Sequence, residues 1–263
     1  MSHAAASLYR RPIVLDPALH RSRKVQPLSD YSIAREIHVV PITATEFPHA
    51  ALEFPIVFVE TGARDSAGRA AMTPAALLGL SHGENLYVER SRWDARYVPA
   101  YVRRYPFLTA ALPGSDGINV LVDEAWSGFG EQAGEPLFEA DDAPAPALRR
   151  AIDFLERYEH EAERTRAFCD RLARLGVLKA MKADATLPNG ESISVDGFHT
   201  VDEDRLRAFP DETVLELWRN GMLMLIQMHL VSIVNIRHLV NRKAARVAAT
   251  APADTAALRS NPQ

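Results

Sequence analysis

Residues 55–60 read PIVFVE, a run of β-branched and aromatic residues entered from a proline and too short to be a core helix. Three further runs share that character: EIHVVPIT (36–43), NLYVE (85–89) and INVLVDE (118–124). Gly, Pro, Asn and Asp punctuate the intervals between them. Only two short segments there suit a helix, TPAALLGL (73–80) and YVPAYVRR (97–104). A parallel crossover needs a dozen or more residues, so the strands are expected to pair in an antiparallel or mixed sheet. The fold class that follows is α+β, with a sheet-rich region at residues 30–127.

Either side of that region the text changes. Residues 1–29 are basic and loosely patterned and read as a mobile arm. Residues 128–147, GFGEQAGEPLFEADDAPAPA, read as a linker extended across the surface. A helical part is expected over 148–243. Its first helix, 147–176, carries the stripe Leu148, Ile152, Leu155, Ala162, Cys169 and Leu172, with Gly176 where a C-terminal cap belongs. The stripe thins at Glu159 and Thr165, which predicts a solvated middle. LPNGESISV (187–195) reads as a hairpin turning at Asn189–Gly190, and a short capped helix should stop before Pro210. A long final helix is expected from Asp211 to about Arg242, and the Ala/Pro/Ser/Thr-rich residues 244–263 read as a disordered tail.

The totals narrow the function. The chain has 263 residues, 47% hydrophobic and 24% charged, with a formal net charge of -4. That acidic balance argues against a general nucleic-acid binder. Cys169 is the single cysteine, so no intrachain disulfide forms, which suits a cytoplasmic location. The nine histidines show no HExxH or HxH spacing, and no metal or cofactor is expected. The longest nearly apolar run, MLMLIQMHLVSIV (222–234), falls short of the roughly 20 residues of a membrane span.

Several segments together resemble one family: EFPHAALEFPIVFVE (46–60), ALLGLSHGENLYVE (76–89), RWDARYVPAYVRRYPF (92–107), GEPLFE (134–139) and NGMLMLIQMHLVSIVNIRHLVNR (220–242). The chain is similar to the SapC family over most of residues 30–243, with the RWD…YVPAYVRRYPF block the most specific part. Ser91 and Tyr87 stand where a glycine and a phenylalanine are common in the pattern. The resemblance carries over no catalytic residue. It implies a tie to surface-layer or outer-membrane uptake systems. A permease label, sometimes attached to the family, does not suit a chain expected to lack a membrane span.

The candidate site is that block. Arg92, Arg103 and Arg104, with Trp93 and Tyr105, suit a carboxylate or phosphate clamp, since guanidinium forks bind such groups bidentately. The plainer reading pairs these arginines with Asp94, Glu84, Glu89 or Asp123 and stacks them on the rings. If residues 94–104 were helical, Trp93, Tyr97, Tyr101 and Tyr105 would line one face, although Pro99 favours a two-piece helix. In SHGENLYVE, Glu84 and Asn85 follow a tight turn at Gly83; a turn stabilised by Asn85 competes with Glu84 as a proton-transferring carboxylate. Each proline of the repeated Glu-Phe-Pro (46–48, 53–55) should push its phenylalanine toward extended backbone and bury it.

In the last helix, Leu215, Trp218, Met222, Leu225, His229, Ser232, Ile236 and Val240 form a 3-4 seam facing core or partner. His229 and Ser232 read as a hydrogen-bonded core pair, with His229 as pocket lining the alternative. Cys169 reads as an inert buried thiol. The expected function is a soluble, non-enzymatic binding or accessory protein for a peptide, protein or small acidic ligand, with a homodimer through the final helix as a further partner reading. The alternative is an enzyme in which Arg103 and Arg104 anchor an anion, Glu84 transfers a proton and His229 lines the pocket.

Overall fold

The computed structural model describes residues 8–111, 119–187 and 189–250. Residues 1–7 of the expected arm, Ile118 of the fourth strand-like run and 251–263 of the expected tail lie outside that range. In chain order the elements begin with β1 (Pro12–Val14), α1 (Pro17–His20), β2 (Lys24–Val25), β3 (Val39–Pro41), α2 (Phe47–Ala50), β4 (Ile56–Arg64) and β5 (Ala70–Leu77). Next come β6 (Val88–Glu89), β7 (Arg92–Trp93), α3 (Ala100–Arg103), β8 (Phe107–Ala110), β9 (Asn119–Asp123), β10 (Phe129–Gly130) and β11 (Glu135–Pro136). The chain continues as α4 (Pro146–Leu175), β12 (Leu178–Thr186), β13 (Ser192–Val201), α5 (Glu203–Arg207), α6 (Asp211–Arg219), α7 (Met222–Ser232) and α8 (Ile236–Thr250).

Every ladder is antiparallel, and the fold is α+β. The main sheet runs β12-β13-β4-β5-β3. Its outer hairpin, β12–β13, turns at Asn189–Gly190 as expected, but it belongs to the half of the chain read as helical. The sheet is therefore not confined to residues 30–127. TPAALLGL is likewise not helical, because Ala75, Ala76 and Leu77 are buried within strand β5. A strand buried on both faces shows no alternation, and burial between β4 and β3 overrides the helical preference of alanine and leucine.

The expected mobile arm is built in from residue 8. β1 pairs with β9, and β2 lies between β10 and β11, so the linker at 128–147 closes a small sheet around the arm. Val25, Phe107, Val122, Phe129, Leu137, Phe138, Leu148 and Leu155 form a second hydrophobic cluster there. Linker apolar residues were the cue: a surface connection would leave Phe129, Leu137 and Phe138 in water, and their burial favours the folded state by roughly 1.5–3 kcal/mol each.

Helix α4 ends as expected at Gly176, with φ 61°. Its middle is not simply solvated: Thr165 is buried and its hydroxyl accepts the Ala44 N–H at 2.8 Å. Phe168, outside the expected stripe, packs against Phe47 and Phe58. Phe47 and Phe54 are both fully buried, but Phe47 adopts helical backbone (φ -51°, ψ -43°), because Pro48 sits in the first turn of α2, where its missing N–H costs nothing.

The expected single helix from Asp211 is divided at Gly221, whose φ of 77° is left-handed. The long C-terminal helix then starts at Met222 and is interrupted only by a 3-10 turn, Ile233–Asn235. It continues to Thr250, so residues 244–250 are helical rather than tail. The break resets the helical phase. Leu217, Ile226, His229, Ser232, Asn235 and Leu239 face inward, while Leu215 and Trp218 of the expected seam are 46% and 69% exposed. Met222–Ala249 is long and apolar enough to cross a membrane by length and composition, with a window of mean hydropathy 1.5 that is 28% buried. The apolar run 222–234 is only the first part of that helix.

Candidate functional site

The block 91–107 folds in pieces. Trp93 sits in the two-residue strand β7 and donates its indole N–H to the Tyr97 carbonyl at 2.8 Å. Pro99 then starts the single turn α3. The four aromatics therefore do not share a helical face. Glu46, buried, fixes the turn: one oxygen accepts the Ala100 N–H (2.7 Å) and the Tyr97 hydroxyl (2.8 Å). The other accepts the N–H and hydroxyl of Thr43. Val102 is buried, so Arg103 and Arg104 are directed away from the core on the next two positions.

These two arginines meet side chains that sequence reading did not join to them. Arg103 donates to the Val98 carbonyl (2.9 Å) and the Tyr97 hydroxyl (3.3 Å), and lies 5.4 Å from the Phe154 ring centroid. Arg104, half-buried, donates to the Tyr9 hydroxyl at 3.1 Å. Its guanidinium lies 4.4 Å from the Tyr101 ring centroid, 4.8 Å from Tyr158 and 5.8 Å from Tyr9. Burial pushes the Tyr9 and Tyr158 hydroxyls well above their ordinary pKa, so both stay neutral beside the cation. Among the described residues no carboxylate pairs with Arg103 or Arg104.

Both arginines open onto a cleft of about 350 Å3. One wall comes from Val25, Gln26, Pro27 and Leu28, following β2. The start of α4 contributes Ala147, Arg150, Ala151 and Phe154 to the lining. Tyr105, Phe107 and Glu135 also line it, and Glu135 is bound to Arg150 at 2.7 and 2.8 Å. Such a cleft offers guanidinium donors beside an apolar wall, which suits an amphiphilic anion.

The remaining candidates lie elsewhere. Glu84 accepts the Leu80 N–H and pairs with Lys243 at 2.8 Å. Asn85 is fully buried, donating to the Ala34 carbonyl and accepting the Tyr87 N–H, so it stabilises its turn. Arg92 is exposed on β7. Asp94 is held by Arg242, and Asp123 by the backbone N–H groups of Arg10, Arg11 and Ala125 and the Tyr105 hydroxyl. Burial alone would raise the pKa of Asp123, but these donors outweigh it and hold the carboxyl below its usual range. Three of the carboxylates expected to neutralise the block, Asp94, Glu84 and Asp123, are therefore occupied, the first two by residues of the C-terminal helix.

His229 is a core residue. Its Nδ1 donates to the Ile56 carbonyl at 2.8 Å, and its Nε2 accepts the Val201 N–H at 3.1 Å and the Thr200 hydroxyl at 2.9 Å. Ser232 accepts the Ile56 N–H and donates to the His229 carbonyl. β4 and β13 pair at His199–Phe58, and His229 bridges Ile56 and Val201, which stand opposite each other two positions further along that register. Burial lowers its pKa to about 4, and the ring is neutral. Glu84, Arg103/Arg104 and His229 thus do not converge, and the acid–base trio of the enzyme reading is not assembled. Cys169 is buried, its thiol pushed up to about 12 by burial.

Tyr9, Arg150, Phe154 and Tyr158 escaped the sequence reading. Three of them leave a signal, since Arg150, Phe154 and Tyr158 recur every four residues on one face of α4. Tyr9 leaves none, because its partner is 95 residues away.

The fold and cleft define an α+β protein with an arginine-containing surface cleft. The SapC family model matches residues 15–239, and the chain belongs to that family. No curated protein and no solved structure matches it.

Proposed function

We propose that the protein is a binding or accessory protein whose cleft beside Arg103 and Arg104 recognises a small acidic or peptide ligand. One observation carries this reading: Arg104 is half-buried among three tyrosine rings, has no carboxylate partner among the described residues, and lines an open cleft. An enclosed cation is costly unless something balances it, and an anionic ligand supplies that balance. A tie to surface-layer or outer-membrane uptake systems rests on the family alone.

The test is calorimetric titration of acetate, succinate and short acidic peptides into wild type and Arg104→Met. Methionine keeps much of the packing against the rings while removing the charge. Binding by wild type that is lost in Arg104→Met at nearly unchanged Tm supports the reading. Retained binding, or a large loss of Tm in the absence of ligand, makes the arginine structural.

We also infer a second copy of this chain as partner. The supporting observation is a stripe of exposed apolar residues, Leu215, Trp218, Met224, Val231 and Val234, along α6 and the start of the final helix. No charged residue occurs from Asn220 to Ile236. The one polar side chain exposed within the α7 part is Gln227. A carboxamide both donates and accepts, so it pairs with its own symmetry mate across a twofold axis.

A further inference from the structure

We infer that the cleft takes the free C-terminal carboxylate of a peptide ending in an apolar residue. This rests on the reading of the cleft as an anion site and names the class of anion. Charge balance is the first argument. Arg103, Arg104 and Arg150 contribute three positive charges around the cleft. Glu135 offsets one through Arg150, which leaves Arg103 and Arg104 without a carboxylate partner among the described residues. The excess positive charge calls for an anion as the occupant.

The second argument is the wall. Val25, Pro27, Leu28, Ala147, Ala151 and Phe154 surround the guanidinium groups with apolar surface. A terminal leucine or phenylalanine places its side chain beside its carboxylate, so one residue presents both an apolar group to this lining and an anion to the arginines. The third argument is the donor pattern. Arg104 spends its Nε on Tyr9, so its two terminal nitrogens, with no partner among the described residues, are left for a bidentate carboxylate. The exposed Gln26 carboxamide, also in the lining, has no partner among the described residues either and suits the peptide group preceding the terminus.

The experiment titrates the full chain with N-acetyl-Ala-Ala-Leu as the free acid, with its C-terminal amide, with N-acetyl-Ala-Ala-Asp amide and with inorganic phosphate. The expected result is binding of the free acid, weakened about 10- to 100-fold in the amide and in Arg104→Met. Equal binding of acid and amide overturns the terminal-carboxylate assignment. Preference for phosphate or for the aspartate peptide also overturns it, while leaving the cleft an anion site. Binding of none of these probes overturns both readings.

Discussion

Arg104 and His229 are both polar groups placed among rings, and the fold treats them oppositely. Arg104 keeps its charge and faces a cleft, whereas His229 gives up its charge to bridge two strands. A pH dependence follows from the second. Above about pH 6.5 His229 is neutral in folded and unfolded chains alike, and its bonds contribute fully. Below that, only the unfolded chain takes up the proton, until the folded pKa of about 4 is reached. Stability is therefore lost as pH falls through this window, by roughly 3 kcal/mol from this group. Urea unfolding of wild type and His229→Gln between about pH 7 and 4 checks it. The variant should start less stable and lose less on acidification; parallel curves would remove the histidine as the cause.

At the scale of elements, the joints carry the most specific backbone demands. The left-handed φ of Gly221 has open space around it, so Gly221→Ala should cost only the backbone strain, about 1–2 kcal/mol. At Gly79 the cost differs in kind: a Cβ there would stand 2.3 Å from the Glu84 carbonyl oxygen. Gly79→Ala should cost more, roughly 2–4 kcal/mol, by moving the turn that carries Glu84 and Asn85. Denaturant midpoints of the two variants rank them, and the reverse order would show that the turn yields.

These joints also mark what the sequence discloses. PIVFVE, the hairpin at Asn189–Gly190 and the end of α4 at Gly176 were legible because local pattern and turn chemistry agree there. β5 was not, since Ala75–Leu77 are buried on both faces and lose the period that identifies a strand. The arm and linker were misread because β2 has two residues and pairs with segments more than 100 positions away. The cleft was half legible. Arg103 and Arg104 stood out, whereas the walls that make them a site come from those same distant segments and from α4.

For the whole molecule, the two outward features lie on different elements, and the cleft and the stripe should be separable. Sedimentation velocity over a range of concentrations should show a monomer–dimer equilibrium for wild type. Trp218→Ser combined with Val231→Ser should shift it to monomer while leaving ligand binding by Arg104 intact. A wild type that stays monomeric would overturn the dimer, and one that instead sediments with phosphatidylglycerol vesicles would assign the stripe to a lipid surface. The bridge at His229 has a consequence for biosynthesis. Both backbone groups of Ile56 are satisfied by His229 and Ser232, which are made more than 170 residues later. While the ribosome is still delivering that interval, β4 lacks its last hydrogen-bond partners. Completion of the sheet thus waits for residues 229–232, and nascent chains ending before residue 232 present an open strand edge, a surface prone to aggregation.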